Sequence, residues 1–129
     1  MGYELMEIHY SGGSHASHVP TATVRIKTLD GSVVTEAATS ETGNGPVDAA
    51  FKAIQRAIKI NVELVEFFVS SIGPGSEAIG KVIVRIKDND DVYEDSGLST
   101  DIIIASAEAF VNALNNKVAF EATVVAHTV

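Results

Sequence analysis

The sequence contains no cysteine at all. That excludes a disulfide framework and any thiolate metal site. Basic residues are scarce: nine Lys and Arg against seventeen Asp and Glu give a net charge of −8 and a pI of about 4.8. No basic run occurs anywhere, and an acidic surface repels phosphate backbones, so nucleic acid is excluded as a partner. Apolar runs fall far short of the roughly 20 residues that span a bilayer, so no membrane span is expected. The N-terminus lacks the basic, apolar, small-residue order of a secretory signal. The expectation is a soluble cytoplasmic domain.

Signatures of catalysis are equally sparse. There is no G-x-S-x-G and no G-x-x-x-x-G-K-[ST], and no lysine stands beside the Gly-rich "GNGP" stretch. His15 and His18 form H-x-x-H inside "SGGSHASHVP" without a third ligand nearby, whereas zinc takes three or four protein ligands. They read as surface loop histidines. His9 and His127 are isolated. No cofactor and no metal are expected.

What is present is apolar matter and repetition. A chain of 129 residues with 46% hydrophobic residues and a mean hydropathy of +0.20 is rich for a small monomer and suggests buried subunit contacts. Val24-Arg25-Ile26-Lys27 returns unchanged as Val84-Arg85-Ile86-Lys87. The surroundings repeat too. Strand-like stretches, Tyr3 to Tyr10 and Val62 to Ile72, precede the two copies. Turns at Asp30-Gly31 and Asp88-Asn89-Asp90-Asp91 follow them, and extended character resumes over Val33 to Ala38 and Val92 to Glu94. Within each copy Val and Ile alternate with Arg and Lys, which predicts one buried and one solvent-facing side.

Each unit then reaches a glycine, Gly43 or Gly97, and a helical period begins. Val47, Ala50, Phe51, Ile54, Ala57 and Ile58 make one apolar stripe; Ile103, Ala107, Phe110, Val111 and Leu114 make the other. Pro46 suits a first helical position, with Asn44 or Gly45 as N-cap. Thr100 is the expected N-cap of the second helix and Asn115-Asn116 its expected end. Residues 119–129 read as an extended segment or a loose tail. The plan is strand–strand–strand–helix, twice: an α+β fold of two βββα units with pseudo-twofold symmetry in one compact domain, unit one over about 3–60, unit two over about 62–116, and a tail at 117–129. One helix per three strands leaves sheet surface uncovered, and a second copy of the chain is the expected cover.

The helix starts are the candidate site. N–H groups of a first turn lack intrahelical partners and carry partial positive charge, so they accept carboxylate or phosphate. Both starts follow a glycine, in "GNGPVD" and "GLSTDI", and both carry an aspartate, Asp48 or Asp101. Such an aspartate favours the helix dipole. It can equally receive the ammonium of a ligand whose carboxylate meets the free N–H groups, and the two together would recognise a free amino acid. Ala49, Ala50 and Ala105, with Ile102, could shape an apolar cup for its side chain.

"GNGPVDAAFKAI" at Gly43–Ile54 resembles the C-terminal regulatory domain of 2-isopropylmalate synthase, the LeuA allosteric or dimerisation domain. So do "ATV" at Ala22–Val24 before the Asp30-Gly31 turn, "GSEAIGKVIVRI" at Gly75–Ile86 and "STDIIIASAEAFVNALN" at Ser99–Asn115. The likeness runs from about residue 3 to 116. It implies two βββα units, a homodimer, and an end-product amino acid bound near the helix starts to inhibit a separate catalytic barrel. By this resemblance Gly43, Asn44, Gly45, Pro46, Asp48 and Ala49 belong to one wall of the effector pocket, and Asp101, Ile102 and Ala105 to the other. The chain departs from the pattern at Glu66-Phe67, where the family usually has Asp-Tyr, and at Leu98 and Ser99, where a second glycine is common. The barrel's H-x-H metal pair is absent here, so the resemblance implies a regulatory domain without its barrel and without activity of its own.

The function expected is amino-acid sensing, with leucine as effector. The related sensor of citramalate synthase reads isoleucine. The two ligands differ in the place of one methyl, worth roughly 1–3 kcal/mol in a shaped pocket. Two other classes stand beside this one: a small stand-alone metal-dependent enzyme using His15 and His18, and a structural dimerisation module with no ligand.

Overall fold

The computed structural model describes residues 2–12, 19–40, 45–75 and 78–128, with the side chains of residues 127 and 128 left aside. The elements run β1 (Glu4–Ser11), β2 (Thr21–Lys27), β3 (Val33–Thr39), α1 (Gly45–Ile58), β4 (Glu63–Ile72), β5 (Ile79–Asp88), β6 (Asp91–Ser99) and α2 (Ile102–Thr128). They form two antiparallel three-stranded sheets, ordered β1-β2-β3 and β4-β5-β6, each followed by a helix. This is the expected α+β plan of two βββα units. Glu4–Asn61 make the first unit; Val62 onward, joined by Gly2 and Tyr3, makes the second.

The repeat is structural as well as written. Val24 and Ile26 in β2, and Val84 and Ile86 in β5, are fully buried on the helix side of their sheets. The arginines between them face away and meet carboxylates: Arg25 lies 3.8 Å from Glu7, and Arg85 lies 2.9 Å from Glu66 and 2.7 Å from Glu94. Both first strands also shift register at the same place, between Leu5 and Glu7 in β1 and between Leu64 and Glu66 in β4.

In the first unit, α1 packs on β2 and β3. Ala50, Phe51, Ile54, Ala57 and Ile58 are buried as its periodicity predicts, and Ala49 and Ala53 join them. The β2–β3 turn is closed by Asp30, whose Oδ1 accepts from Thr28 Oγ1 at 2.6 Å, Ser32 Oγ at 2.7 Å and Ser32 N at 2.9 Å. Gly31 follows with φ +89°, a conformation that favours glycine.

In the second unit, α2 packs on β5 and β6, and Ala107, Phe110, Val111 and Leu114 fill its core. A side chain at Gly97 would overlap the carbonyl oxygen of Ala105 and lie 2.8 Å from Ala109 N, so this glycine lets the helix lie directly on β6. It is a packing glycine inside a strand rather than an approach to the helix start. β6 is also longer than the Val92–Glu94 stretch expected from sequence.

Two expectations about α2 are corrected. The helix does not stop at Asn115-Asn116 but continues to Thr128. Asparagine ends helices when its side chain competes with the local backbone. Here the amides reach outside the helix instead: Asn115 Nδ2 donates to Tyr3 O at 2.9 Å, and Asn116 Nδ2 to Glu94 O at 2.8 Å. Beyond them no glycine or proline interrupts the sequence, Lys117 is buried and ion-paired to Asp88 and Glu121 at 3.3 and 2.8 Å, and Phe120 meets Tyr93 with ring centroids 6.0 Å apart. Residues 119–128 are therefore helical, neither extended nor a loose tail. The N-cap is Asp101, not Thr100. Its Oδ1 accepts from Ile103 N at 2.8 Å and Ile104 N at 3.2 Å, the pattern of a capping carboxylate.

The helices also tie down one edge of each sheet. Asn112 Nδ2 and Asn116 Nδ2 take the carbonyls of Ser96 and Glu94 in β6 at 2.9 and 2.8 Å. Arg56 Nη1 takes that of Ala37 in β3 at 2.8 Å.

Candidate functional site

The two helix starts lie in different units. Gly43 and Asn44 fall outside the described residues, as do His15 and His18. From Gly45 onward the first start is defined. Gly45 has φ +59° and open space where a side chain would project. Its left-handed backbone turns the chain into α1, and Pro46, with φ fixed by its ring, continues it. Pro46 rests against the end of β1, where a side chain at Gly12 would come within 2.9 Å of its Cγ.

Asp48, in the first turn of α1, is partly buried and engaged on both sides. Its Oδ2 accepts from Ser40 Oγ at 2.7 Å and pairs with Lys52 Nζ at 3.1 Å, one turn along. Ser40 is itself buried, and its N–H donates to Pro20 O at 3.0 Å. Sequence reading missed Ser40, because a serine eight residues ahead of an aspartate has no local signature. Ala49 is fully buried, packed with Ala50 and Ala22 and against Ile8.

The second start is built differently. Asp101 spends Oδ1 on the N–H groups of Ile103 and Ile104, and its own N–H donates to Ser99 Oγ at 3.1 Å. Ile102 lies over β5, where a side chain at Gly80 would collide with its Cδ1. Ala105 is fully buried, with its carbonyl over Gly97. Ser106 turns inward and donates to Ile102 O at 2.6 Å. Asp101 thus acts on its own helix, and an anion arriving there meets N–H groups that a carboxylate already holds.

Gly45, Pro46, Asp48 and Ala49 stand together at the start of α1; Asp101 caps α2, and Ile102 and Ala105 lie at its start. Among the described residues, no group of three or more His, Asp or Glu is arranged to hold a metal ion, and no helix is long and apolar enough to cross a membrane.

Comparison with known proteins matches residues 2–118 to the family model described as the LeuA allosteric (dimerisation) domain. The chain is 45% identical over 114 residues to a 2-isopropylmalate synthase of Thermosynechococcus vestitus, covering 88% of this chain and 20% of that protein. It is 46% identical over 112 residues to that of a Nostoc species, with 87% and 20% covered. It is 42% identical over 113 residues to that of Pyrococcus furiosus, with 88% and 21% covered. The chain therefore spans about a fifth of the length of these relatives. A family match over residues 2–118, on a chain that folds as two βββα units, shows that the chain belongs to the LeuA allosteric (dimerisation) domain family.

Proposed function

We propose that this chain is the amino-acid-sensing and dimerising part of a 2-isopropylmalate synthase in leucine biosynthesis. It binds leucine as feedback inhibitor and conveys that binding to a catalytic barrel elsewhere in the enzyme. The observation that carries this reading is the family match over residues 2–118, with synthases 42–46% identical among the relatives. The chain has no catalytic role in this reading and works in the cytoplasm.

The residues that bind are those at the helix starts. Gly43, Asn44 and Gly45 would offer backbone N–H groups and close approach to a carboxylate, and Pro46, which has no N–H, would border that approach with its ring. Asp48 and Asp101 are the candidate partners of the ammonium; Ile102, Ala49 and Ala105 supply apolar surface or the spacing behind it. One feature of the fold supports this assignment: a Cβ added at Gly45 would meet only open space, so the backbone there can be approached closely.

Calorimetry and thermal unfolding with leucine, isoleucine and valine test the reading. Leucine is expected to raise the melting temperature in a saturable way, stabilising the fold by about 2.7 kcal/mol per site at a hundredfold excess over its dissociation constant. Stronger stabilisation by isoleucine would move the effector to that amino acid. No heat and no stabilisation with any of the three overturns the sensor reading. Asp101→Asn keeps the capping geometry and removes the charge. If Asp101 holds the ammonium, affinity falls at least about tenfold while stability is retained.

A further inference from the structure

Among the described residues, each sheet has one edge tied down by a helix and one edge strand, β1 or β4, with a single strand neighbour, and β4 is exposed along its whole length. β6 has its Glu94 and Ser96 carbonyls taken by Asn116 and Asn112, and β3 has its Ala37 carbonyl taken by Arg56. β4 is the opposite edge, with β5 as its one neighbour in the sheet. Every residue of β4, "ELVEFFVSSI", is exposed, on both faces of the sheet. Phe68 is 59% exposed, Val65 48%, Val69 46% and Leu64 43%. The strand contains no lysine, proline or glycine to discourage pairing, and its bulge is confined to one end, leaving Glu66 to Ile72 in unbroken register with β5. A long apolar edge of this kind is a template for another strand.

The order of side chains says which strand. Glu63 and Glu66 stand in the first half of β4, the aromatic pair Phe67 and Phe68 at its middle, and Ser70 and Ser71 in the second half. Laid parallel on a copy of itself, the strand would set carboxylate against carboxylate. Laid antiparallel, it meets its complement. A twofold axis perpendicular to the sheet keeps each face on its own side, so opposed residues must come from the same face. Phe68 pairs with Ile83 and Glu66 with Arg85, and both lie on the face turned away from α2; Phe67 and Val69 pair with the buried Val84 and Val82 on the other. Centring the axis on Phe68 then sets Phe68 against Phe68, Phe67 against Val69, and the Glu66 carboxylate against the Ser70 hydroxyl. Arg85 already neutralises Glu66 from its own sheet.

We infer that β4 is a homotypic docking edge, which pairs antiparallel with β4 of a second copy in the register centred on Phe68 and joins the three strands of each β4-β5-β6 sheet into one continuous sheet. This rests on the dimerising role proposed above and specifies the surface that performs it.

The absence of cysteine makes the test clean, since any intermolecular disulfide must come from an introduced thiol. Opposed residues of an antiparallel pair have Cα atoms about 4.5–5.5 Å apart, within the span a disulfide bridges. The 129-residue chain is first sized by sedimentation velocity, then cysteine variants are oxidised with copper phenanthroline. Phe68→Cys is expected to cross-link most completely, Phe67→Cys and Val69→Cys less, and Glu63→Cys, Ile72→Cys and the β1 control Met6→Cys least. Phe68→Lys should raise the dimer dissociation constant at least tenfold while the circular dichroism spectrum is kept. A monomeric parent overturns the dimerising role and this edge with it. A dimeric parent in which Phe68→Cys does not cross-link and Phe68→Lys dimerises normally overturns the edge alone. Preferential cross-linking at Met6→Cys does the same by moving the contact to β1.

Discussion

Asn115 holds the backbone of Tyr3 at both ends of one amide: Tyr3 N donates to Oδ1 at 2.7 Å and Nδ2 donates to Tyr3 O at 2.9 Å. A side chain in mid-helix thereby acts as a short strand partner for residues 112 positions earlier. Asn115→Ala leaves both backbone groups without that partner in a partly buried place. The expected loss is about 1–3 kcal/mol, read as a lower urea midpoint with an unchanged slope. Asn115→Asp keeps the acceptor for Tyr3 N and sets a carboxylate against Tyr3 O, so it should not restore stability. Equal midpoints for the parent and Asn115→Ala would show that the tie contributes nothing.

Gly97→Ala should be among the most damaging single-methyl changes in the chain. The new Cβ meets helix backbone, Ala105 O and Ala109 N, which cannot rotate away. α2 must lift from β6, at a cost of roughly 1–3 kcal/mol or more. Gly31→Ala is the matched control: its space is open, and only the φ of +89° resists. That change should cost about 1–2 kcal/mol through backbone strain alone. A Gly97→Ala protein as stable as the parent would mean the helix is not seated as described.

Asp101→Ala removes the cap of α2 and should destabilise by about 1 kcal/mol in thermal or urea unfolding. Thr100→Ala should have almost no effect. The reverse ranking would return the capping role to Thr100.

Lys117 is 7% exposed and lies between Asp88 and Glu121. Burial alone would lower its pKa, but hydrogen bonds to Glu121 and Asp88 raise it on balance. A raised amine contributes stability that is fully present below its ordinary range and is lost as pH rises past the folded value. Lys117→Ala should cost about 1–3 kcal/mol, less than the 3–5 expected for a fully buried pair, because both carboxylates keep contact with water. Lys117→Met should recover much of that loss by filling the space. If the two variants unfold alike, packing of the stem is not part of the role.

Hydroxyl hydrogen bonds from Ser32 and Thr28, with the Ser32 N–H, hold the Asp30 carboxyl down at about 2 from its ordinary 3.8. A depressed carboxyl stabilises above its unfolded pKa and loses that contribution as pH falls through the folded one. The turn should therefore weaken between about pH 4 and pH 2. Carbon-detected titration of Asp30 should give a midpoint near 2, returning toward 3.8 in Ser32→Ala. A midpoint already near 3.8 in the parent would show that the turn is not closed in this way.

The alternating Val and Ile of the two VRIK copies, and the apolar stripes ahead of Ile58 and Leu114, made the βββα plan legible because burial has a period. The end of α2 was not legible. An asparagine pair reads as a stop unless its long-range partners are known, and Tyr3 and Glu94 are far away in sequence. The function of Gly97 was hidden for the same reason, since a glycine near a helix start and one beneath a helix look alike in one dimension. At the candidate site, the positions of Asp48 and Asp101 followed from the helix starts. Their present bonds, to Ser40 and Lys52 in one case and to the α2 backbone in the other, depend on packing that no local pattern encodes.

The matched bulges carry a consequence for how each sheet places its charges. Met6 in β1 and Val65 in β4 are the extra residues of their strands, each lying between a leucine opposite the isoleucine of VRIK and a glutamate opposite its arginine. In both units the extra residue lets a leucine face the isoleucine and a glutamate face the arginine of VRIK, so the same kink brings a carboxylate beside the same guanidinium twice.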